Sequence, residues 1–227
     1  MRGSGNRARA GMGSEVTTTT PAPRSCRFGP LDEVEFDDRV LVPREWTLLQ
    51  SEWAAQLAAG LADGALLELC AGAGHIGLAA AVLADRDLVQ VERCPTAAGY
   101  AARNAAHAGW ASRTELRVAP VEEALRRFER FPMIIADPPY LPSAEVIRWP
   151  DDPLTAIDGG PDGLAVVDAC LRVARDHLDE AGVLLLQVAG AAQAEAVGPR
   201  AAGLGLRLAE VRSHDSERAV AAFTPGR

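Results

Sequence analysis

Three short stretches concentrate residue types that can do chemistry. One is Asp137-Pro138-Pro139-Tyr140, which directly follows the apolar run Met133-Ile134-Ile135-Ala136. Two consecutive prolines fix φ and remove two backbone donors, so the turn is rigid and its carbonyls stay free to accept. Asp137 adds a side-chain acceptor, and Tyr140 adds a flat aromatic face. Together these groups can grip a planar –NH2, with one acceptor for each hydrogen and a ring beneath. The next stretch is Glu68-Leu69-Cys70-Ala71-Gly72-Ala73-Gly74. Gly72 and Gly74 let the backbone turn tightly and approach a ligand closely. The helix expected from His75 onward offers its free N–H groups to the same space. A full dinucleotide fingerprint would carry glycine where Cys70 stands, although Gly77 meets the last glycine position. The last is Glu92, on the order of 20 residues beyond the glycine turn, where a carboxylate can accept both hydroxyls of a ribose.

These residues need a frame that brings strand ends together. Short apolar runs at 65–70, 87–92, 114–118, 133–136, 183–188, 206–211 and 219–223 read as strands. Stretches at 46–61, 75–84, 95–108, 121–130, 164–178 and 191–202 read as helices, with Pro95 placed in a first turn. Strands alternating with helices predict βαβ units and an α/β, Rossmann-like, doubly wound, mostly parallel sheet covered on both faces. Ligands then bind outside the carboxyl ends of the strands, where all three stretches fall.

Composition narrows the chemistry. The 227 residues carry a formal charge of -8, and every one of the 23 basic residues is arginine. A lysine Schiff base and a P-loop lysine are thereby excluded. Residues 1–27 hold Gly-Ser-Gly, four consecutive threonines and five arginines against one acid, and read as a disordered tail or leader. The remaining 28–227 then form one domain with 18 basic and 30 acidic residues, a net charge of -12. That balance disfavours broad phosphate contacts and makes a nucleic-acid partner less expected than a protein or small molecule. Cys26, Cys70, Cys94 and Cys170 form no C-x-x-C pair, the histidines form no triad or metal pattern, and no metal is expected. His75, which opens the helix, is expected to have a capping or surface role. No apolar run approaches the roughly 20 residues of a bilayer span and no signal-type segment stands out, so a cytoplasmic protein with no membrane partner is expected.

The glycine stretch, Glu92 and Asp137-Pro138-Pro139-Tyr140 together resemble the class I S-adenosylmethionine-dependent methyltransferases with an (N/D)PPY motif. Val40-Leu41-Val42-Pro43-Arg44-Glu45-Trp46-Thr47, the run from Asp152 through Asp158-Gly159-Gly160 to Leu164, and Ser216-Glu217-Arg218-Ala219-Val220 resemble the HemK/PrmC-like branch. The resemblance implies a seven-stranded sheet whose last strand is antiparallel, with S-adenosyl-L-methionine as cofactor. It implies cofactor binding by Glu68, Cys70, Ala71, Gly72, Gly74, Glu92 and Asp137. It assigns catalysis and acceptor binding to Asp137, Pro138 and Tyr140, with Pro139 of the same motif placed at the acceptor; Trp149, in the long loop over 141–161, is expected either to cover the substrate or to anchor that loop by packing. The implied reaction is N-methylation of a planar amide or amino nitrogen, in this branch a protein glutamine side chain.

Several positions depart from the branch. Asp137 replaces its usual asparagine, and the DPPY form is shared with nucleic-acid adenine and guanine methyltransferases. Residues 1–27 leave no room for the helical domain that precedes such catalytic domains, which keeps a small-molecule acceptor open. Trp46 and Leu48 replace polar residues around Thr47, and Pro120-Val121 stands where relatives carry an acidic adenine contact. The oligomeric state is left open.

Overall fold

The structure, a computed structural model, describes residues 21–226; the first twenty positions of the expected tail lie outside it. The rest of that tail is not all tail. Arg24–Phe28 forms a strand (β1) that pairs antiparallel with Leu31–Phe36 (β2), Cys26 opposite Val34 and Phe28 opposite Leu31. Phe28, Leu31 and Val34 are buried, so the hairpin is held by its apolar face rather than by its charged composition.

The expected leading helix starts as a single 3-10 turn at Glu45–Thr47 and continues as α1, Leu48–Ala58. Then come β3 Leu66–Leu69, α2 His75–Ala84, β4 Leu88–Glu92, α3 Pro95–His107 and β5 Thr114–Val118. The second half holds β6 Phe131–Ala136, the single turn α4 Leu154–Ile157, α5 Ala165–His177 and β7 Leu178–Val188. It ends with α6 Gly190–Ala202, β8 Leu206–Ser213 and β9 Ala219–Pro225. The helix expected over 121–130 does not form; the segment runs as turns. Its ends are tied instead by Glu129, which accepts from the Arg126 N–H at 2.6 Å and from Arg117 at 2.6 and 2.8 Å. Such side-chain bonds compete with the helical ladder.

Seven strands form one sheet in the order β5-β4-β3-β6-β7-β9-β8. β9 alone runs antiparallel to its neighbours, as the resemblance implies. The period-2 alternation of the strands sorts their side chains into two cores. Leu67, Leu69, Ile134, Ala136, Leu184 and Leu186 face α5 and α6. Leu66, Leu88, Met133, Ile135, Val183 and Leu185 face α1, α2 and the hairpin. The chain winds outward from β3 through β4 to β5, then returns to β6 and winds the other way. The direction of winding therefore reverses between β3 and β6, and their carboxyl ends border the crevice where such sheets bind ligands. No helix among the described residues is long and apolar enough to cross a membrane.

Candidate active site

Two cavities open at this crevice. The first, about 270 Å³, is bounded by Cys70, Ala71 and Gly72 of the turn after β3, by Glu92 at the end of β4, and by Asp137 and Pro139 after β6. The second, about 240 Å³, is bounded by Asp137, Pro138, Tyr140 and Trp149, with Trp46, Thr47 and Arg218 opposite. The two cavities share Leu41, Asp137 and Ala156. Among these three, only Asp137 carries a polar side chain.

The glycine turn is built to stay open. Cys70 sits at φ 58°, a left-handed conformation that costs a non-glycine residue strain and marks functional turns. Gly72 (φ 55°) has open space where a side chain would stand, whereas a side chain at Gly74 would run into Gln90 and Ala101. Glu92 braces the turn: Oε2 accepts from the Gly72 N–H at 2.8 Å and Oε1 from the Cys94 N–H at 2.7 Å. Asn104 of α3 ties the turn to the hairpin, donating to the carbonyls of Ala73 at 2.8 Å and Glu35 at 3.0 Å.

Glu68 lies beneath this turn and does not line the first cavity. It is 2% exposed; Oε1 accepts from the Gly77 N–H at 2.8 Å and Oε2 from Gln90 Nε2 at 2.7 Å. Burial, helped by the nearby Asp137 and Glu92 charges, pushes its carboxyl up to about 7. Gly77 exists to admit it: an alanine there would place its Cβ 2.6 Å from Glu68 Cδ and 2.8 Å from its Cβ. A glycine-to-alanine change inside a helix ordinarily gains on the order of 1 kcal/mol. Overpacking a fixed neighbour costs about 1–3 kcal/mol. Because two hydrogen bonds hold Glu68 in place, overpacking wins. Gly77→Ala is expected to lower the melting temperature by a few degrees, roughly 2–4 °C per kcal/mol. A raised melting temperature in a thermal scan would show that Glu68 swings aside freely.

Around the second cavity the turn after β6 is fixed from several sides. The Tyr140 carbonyl accepts from Gln193 Nε2 at 2.9 Å, and Leu141 bonds to Ile157 and Gly159 in the returning loop. Among the described residues no donor reaches the Pro138 carbonyl. Burial raises the Asp137 carboxyl to about 7, and burial followed by the Asp137 charge raises the Tyr140 phenol. Trp46 is stacked between Arg44 (5.6 Å) and Arg218 (3.8 Å), and Arg44 pairs with Asp152 at 2.5 Å. The loop over 141–161 is thus anchored to the segment ahead of α1.

The structure brings Cys70, Ala71, Gly72, Glu92 and Asp137 together on one cavity, and Asp137, Pro138, Tyr140 and Trp149 on the other. Gly74 and Glu68 act from behind the wall. Pro139, expected at the acceptor, lines the first cavity and not the second. Pro120 and Val121 do line the first cavity, and Glu122 beside them supplies an acid that sequence reasoning missed. His75 also lines it; the ring is 8% exposed rather than at the surface, packs edge-on against Phe28 at 4.7 Å, and is pushed down to about 4 by burial. The neighbouring Cys170 thiol, and then burial, hold the Cys70 thiol well above its usual range, so it stays protonated and is a poor nucleophile.

Comparison with solved structures shows the fold. A methyltransferase from Pyrococcus furiosus superposes with a TM-score of 0.66 at 20% identity, covering 87% of this chain and 90% of that one. The catalytic domain of human Mettl16 bound to a MAT2A hairpin gives 0.68 at 12% identity, covering 86% and 76%. No family model matches the sequence. Individual relatives do. The release factor glutamine methyltransferase of Cereibacter sphaeroides is 34% identical over 183 residues, 76% of this chain and 64% of that protein. The ribosomal protein uL3 glutamine methyltransferase of Bradyrhizobium diazoefficiens is 33% identical over 167 residues, 67% and 51%. The chain thus spans about half to two thirds of the length of the curated relatives it matches.

A winding that reverses between β3 and β6, a glycine turn braced by a strand-end glutamate, and an acid shared by two cavities match the fold of the class I S-adenosylmethionine-dependent methyltransferases. The relatives share one restricted activity in their names. Within the class, the chain is similar to the HemK-type glutamine methyltransferases.

Proposed function

We propose that the chain transfers a methyl group to the side-chain amide nitrogen of a protein glutamine. The observation that carries this is the position of Asp137: it is the one polar side chain on both cavities, at the boundary where a donor group and an acceptor nitrogen would meet. The residues fit S-adenosylmethionine in the first cavity. The Glu92 carboxylate has about four lone-pair sites and spends two on backbone N–H groups, which leaves two for a ribose diol. Cys70, Ala71 and Gly72 bring backbone close to the ligand, and Glu122 stands beside Pro120 and Val121 as an acceptor. When bound, the cofactor supplies a methyl group activated by a sulfonium centre.

The chain's own residues orient and stabilise. Asp137 and the Pro138 carbonyl accept the two amide hydrogens, and Tyr140 supports the amide plane. An amide nitrogen is a weak nucleophile because its lone pair is delocalised. Fixing both hydrogens aims that lone pair across the Asp137 boundary, which contributes by positioning. The negative Asp137 oxygen also faces the positive charge that develops on nitrogen, in surroundings that exclude much of the water. The amide proton leaves after transfer, and Asp137 is the nearest base. Cys70, being protonated, forms no covalent intermediate.

A small apolar-walled second cavity suits one side chain, and Trp46 and Trp149 frame it. Its arginines sit beside Glu145, Asp152 and Glu217, so the mouth offers no continuous basic strip of the kind that tracks phosphates. The test is to incubate the chain with methyl-labelled S-adenosylmethionine and, separately, a peptide release factor, ribosomal protein uL3, total RNA and duplex DNA. One methyl on a glutamine side chain of a protein is the expected result. Label confined to nucleic acid would overturn the proposal, as would cofactor binding without label in any protein.

A further inference from the structure

Gln50 lies in the first turn of α1, three residues beyond the Thr47 that lines the second cavity, and is 0% exposed. Its Nε2 donates to the carbonyl of Ala136 at 3.0 Å and to the carbonyl of Leu185 at 3.0 Å. Ala136 is the last residue of β6, and its carbonyl belongs to the peptide bond that leads into Asp137. Leu185 lies on β7, the parallel neighbour, one position before Leu186, the register partner of Ala136. One side-chain amide therefore spans the two strands just where they separate to give Asp137-Pro138 on one side and Ala189 on the other, both of which line the second cavity.

The amide does this at a cost. Gln50 Oε1 is buried with no hydrogen-bond partner. An unsatisfied buried acceptor costs about 1–3 kcal/mol, and an apolar residue of the same shape would avoid that cost. A locally unfavourable residue kept beside a functional turn points to a role other than stability. We infer that Gln50 is a positioning residue for methyl transfer, clamping the ends of β6 and β7 so that Asp137 and the Pro138 carbonyl hold a fixed separation across the acceptor cavity. The inference rests on the proposed role of Asp137 in that cavity. A misplacement of about 1 Å at a reacting centre costs on the order of 100-fold in rate.

Gln50→Met and Gln50→Leu keep the volume and remove both donors. Three measurements separate positioning from folding: S-adenosylhomocysteine affinity by calorimetry, kcat and KM on the protein acceptor labelled by the wild type, and the carboxyl titration of Asp137 followed by carbon-13 NMR. Tenfold or greater loss of kcat is expected, with acceptor KM and cofactor affinity within about threefold. The Asp137 midpoint is expected to move toward that of an ordinary carboxylate as water reaches the loosened turn, while the Glu68 midpoint stays put. An unchanged kcat together with an unmoved Asp137 midpoint would overturn the clamp. So would equal losses of cofactor affinity and turnover in both variants, which mean a general structural role. If the wild type binds cofactor and methylates nothing, the functional proposal fails, and the NMR titration still decides the clamp.

Discussion

Asp137→Ala lowers the single-turnover rate of methyl transfer by about 100- to 1,000-fold, the usual loss for one preorganised charge-stabilising group, while the domain still binds S-adenosylhomocysteine. The alanine removes an acceptor for an amide hydrogen and the charge that faces the developing cation, and leaves the brace between Gly72 and Glu92 untouched. The raised carboxyl sharpens the test. Burial holds Asp137 at about 7, so lowering the pH through 7 protonates it, removes its charge and puts a hydrogen where an acceptor is needed. The wild-type rate therefore falls as pH drops through that value. Asp137→Asn keeps a carbonyl oxygen, the acceptor that the HemK-like branch ordinarily uses, and has nothing to titrate there. Its rate is expected to be lower than the wild type at pH 8 and flat across the same window. Full turnover by Asp137→Ala on the verified acceptor would remove the residue from the mechanism.

Glu92→Ala weakens cofactor binding by about 100-fold. Two hydrogen bonds to a charged acceptor, each contributing roughly 1.5–3 kcal/mol, amount to at least two decades in affinity at about 1.4 kcal/mol per decade. The substitution also frees the Gly72 and Cys94 N–H groups and lets the turn relax. Glu92→Gln separates the effects. Its amide nitrogen must oppose either a backbone N–H or a ribose hydroxyl, so an intermediate loss is expected. Titration calorimetry with S-adenosylhomocysteine reads both variants. A change below threefold for the alanine variant would mean that the ribose is held elsewhere.

Much of the sheet was legible because its strands are nearly continuous apolar runs, such as Leu66–Leu69 and Phe131–Ala136, which few other structures accommodate. The β1–β2 hairpin was not. Only Phe28 of β1 is fully buried, and Arg24 and Arg27 mimic the charged tail before them; pairing with β2 and packing on His75 and α3 supply what local pattern lacks. The turns over 121–130 misread as helix for the converse reason: good helix formers are overruled by one glutamate that bonds to Arg117 outside the segment and to the Arg126 N–H within it. At the site, the turn motifs announced themselves through proline and glycine. Thr47 and Arg218 stood out only as parts of longer segments and Glu122 not at all, since their place on the cavities depends on three separate segments that the fold brings together. Gln50 reads as a polar position on a surface helix, and its burial follows from two carbonyls remote in sequence.

The meeting of two cavities at a single polar side chain has a consequence for redesign. The cavity proposed for the methyl donor is walled mainly by the turns after β3, β4 and β5 and by α5. The cavity proposed for the acceptor is walled mainly by the segment ahead of α1, the 141–161 loop and the turn before β9. Substitutions at Trp46, Trp149 or Arg218 can therefore retarget the domain without disturbing the donor pocket. Under the proposed function the acceptor side is open to redesign on its own, and Asp137 is the polar position that both sides constrain.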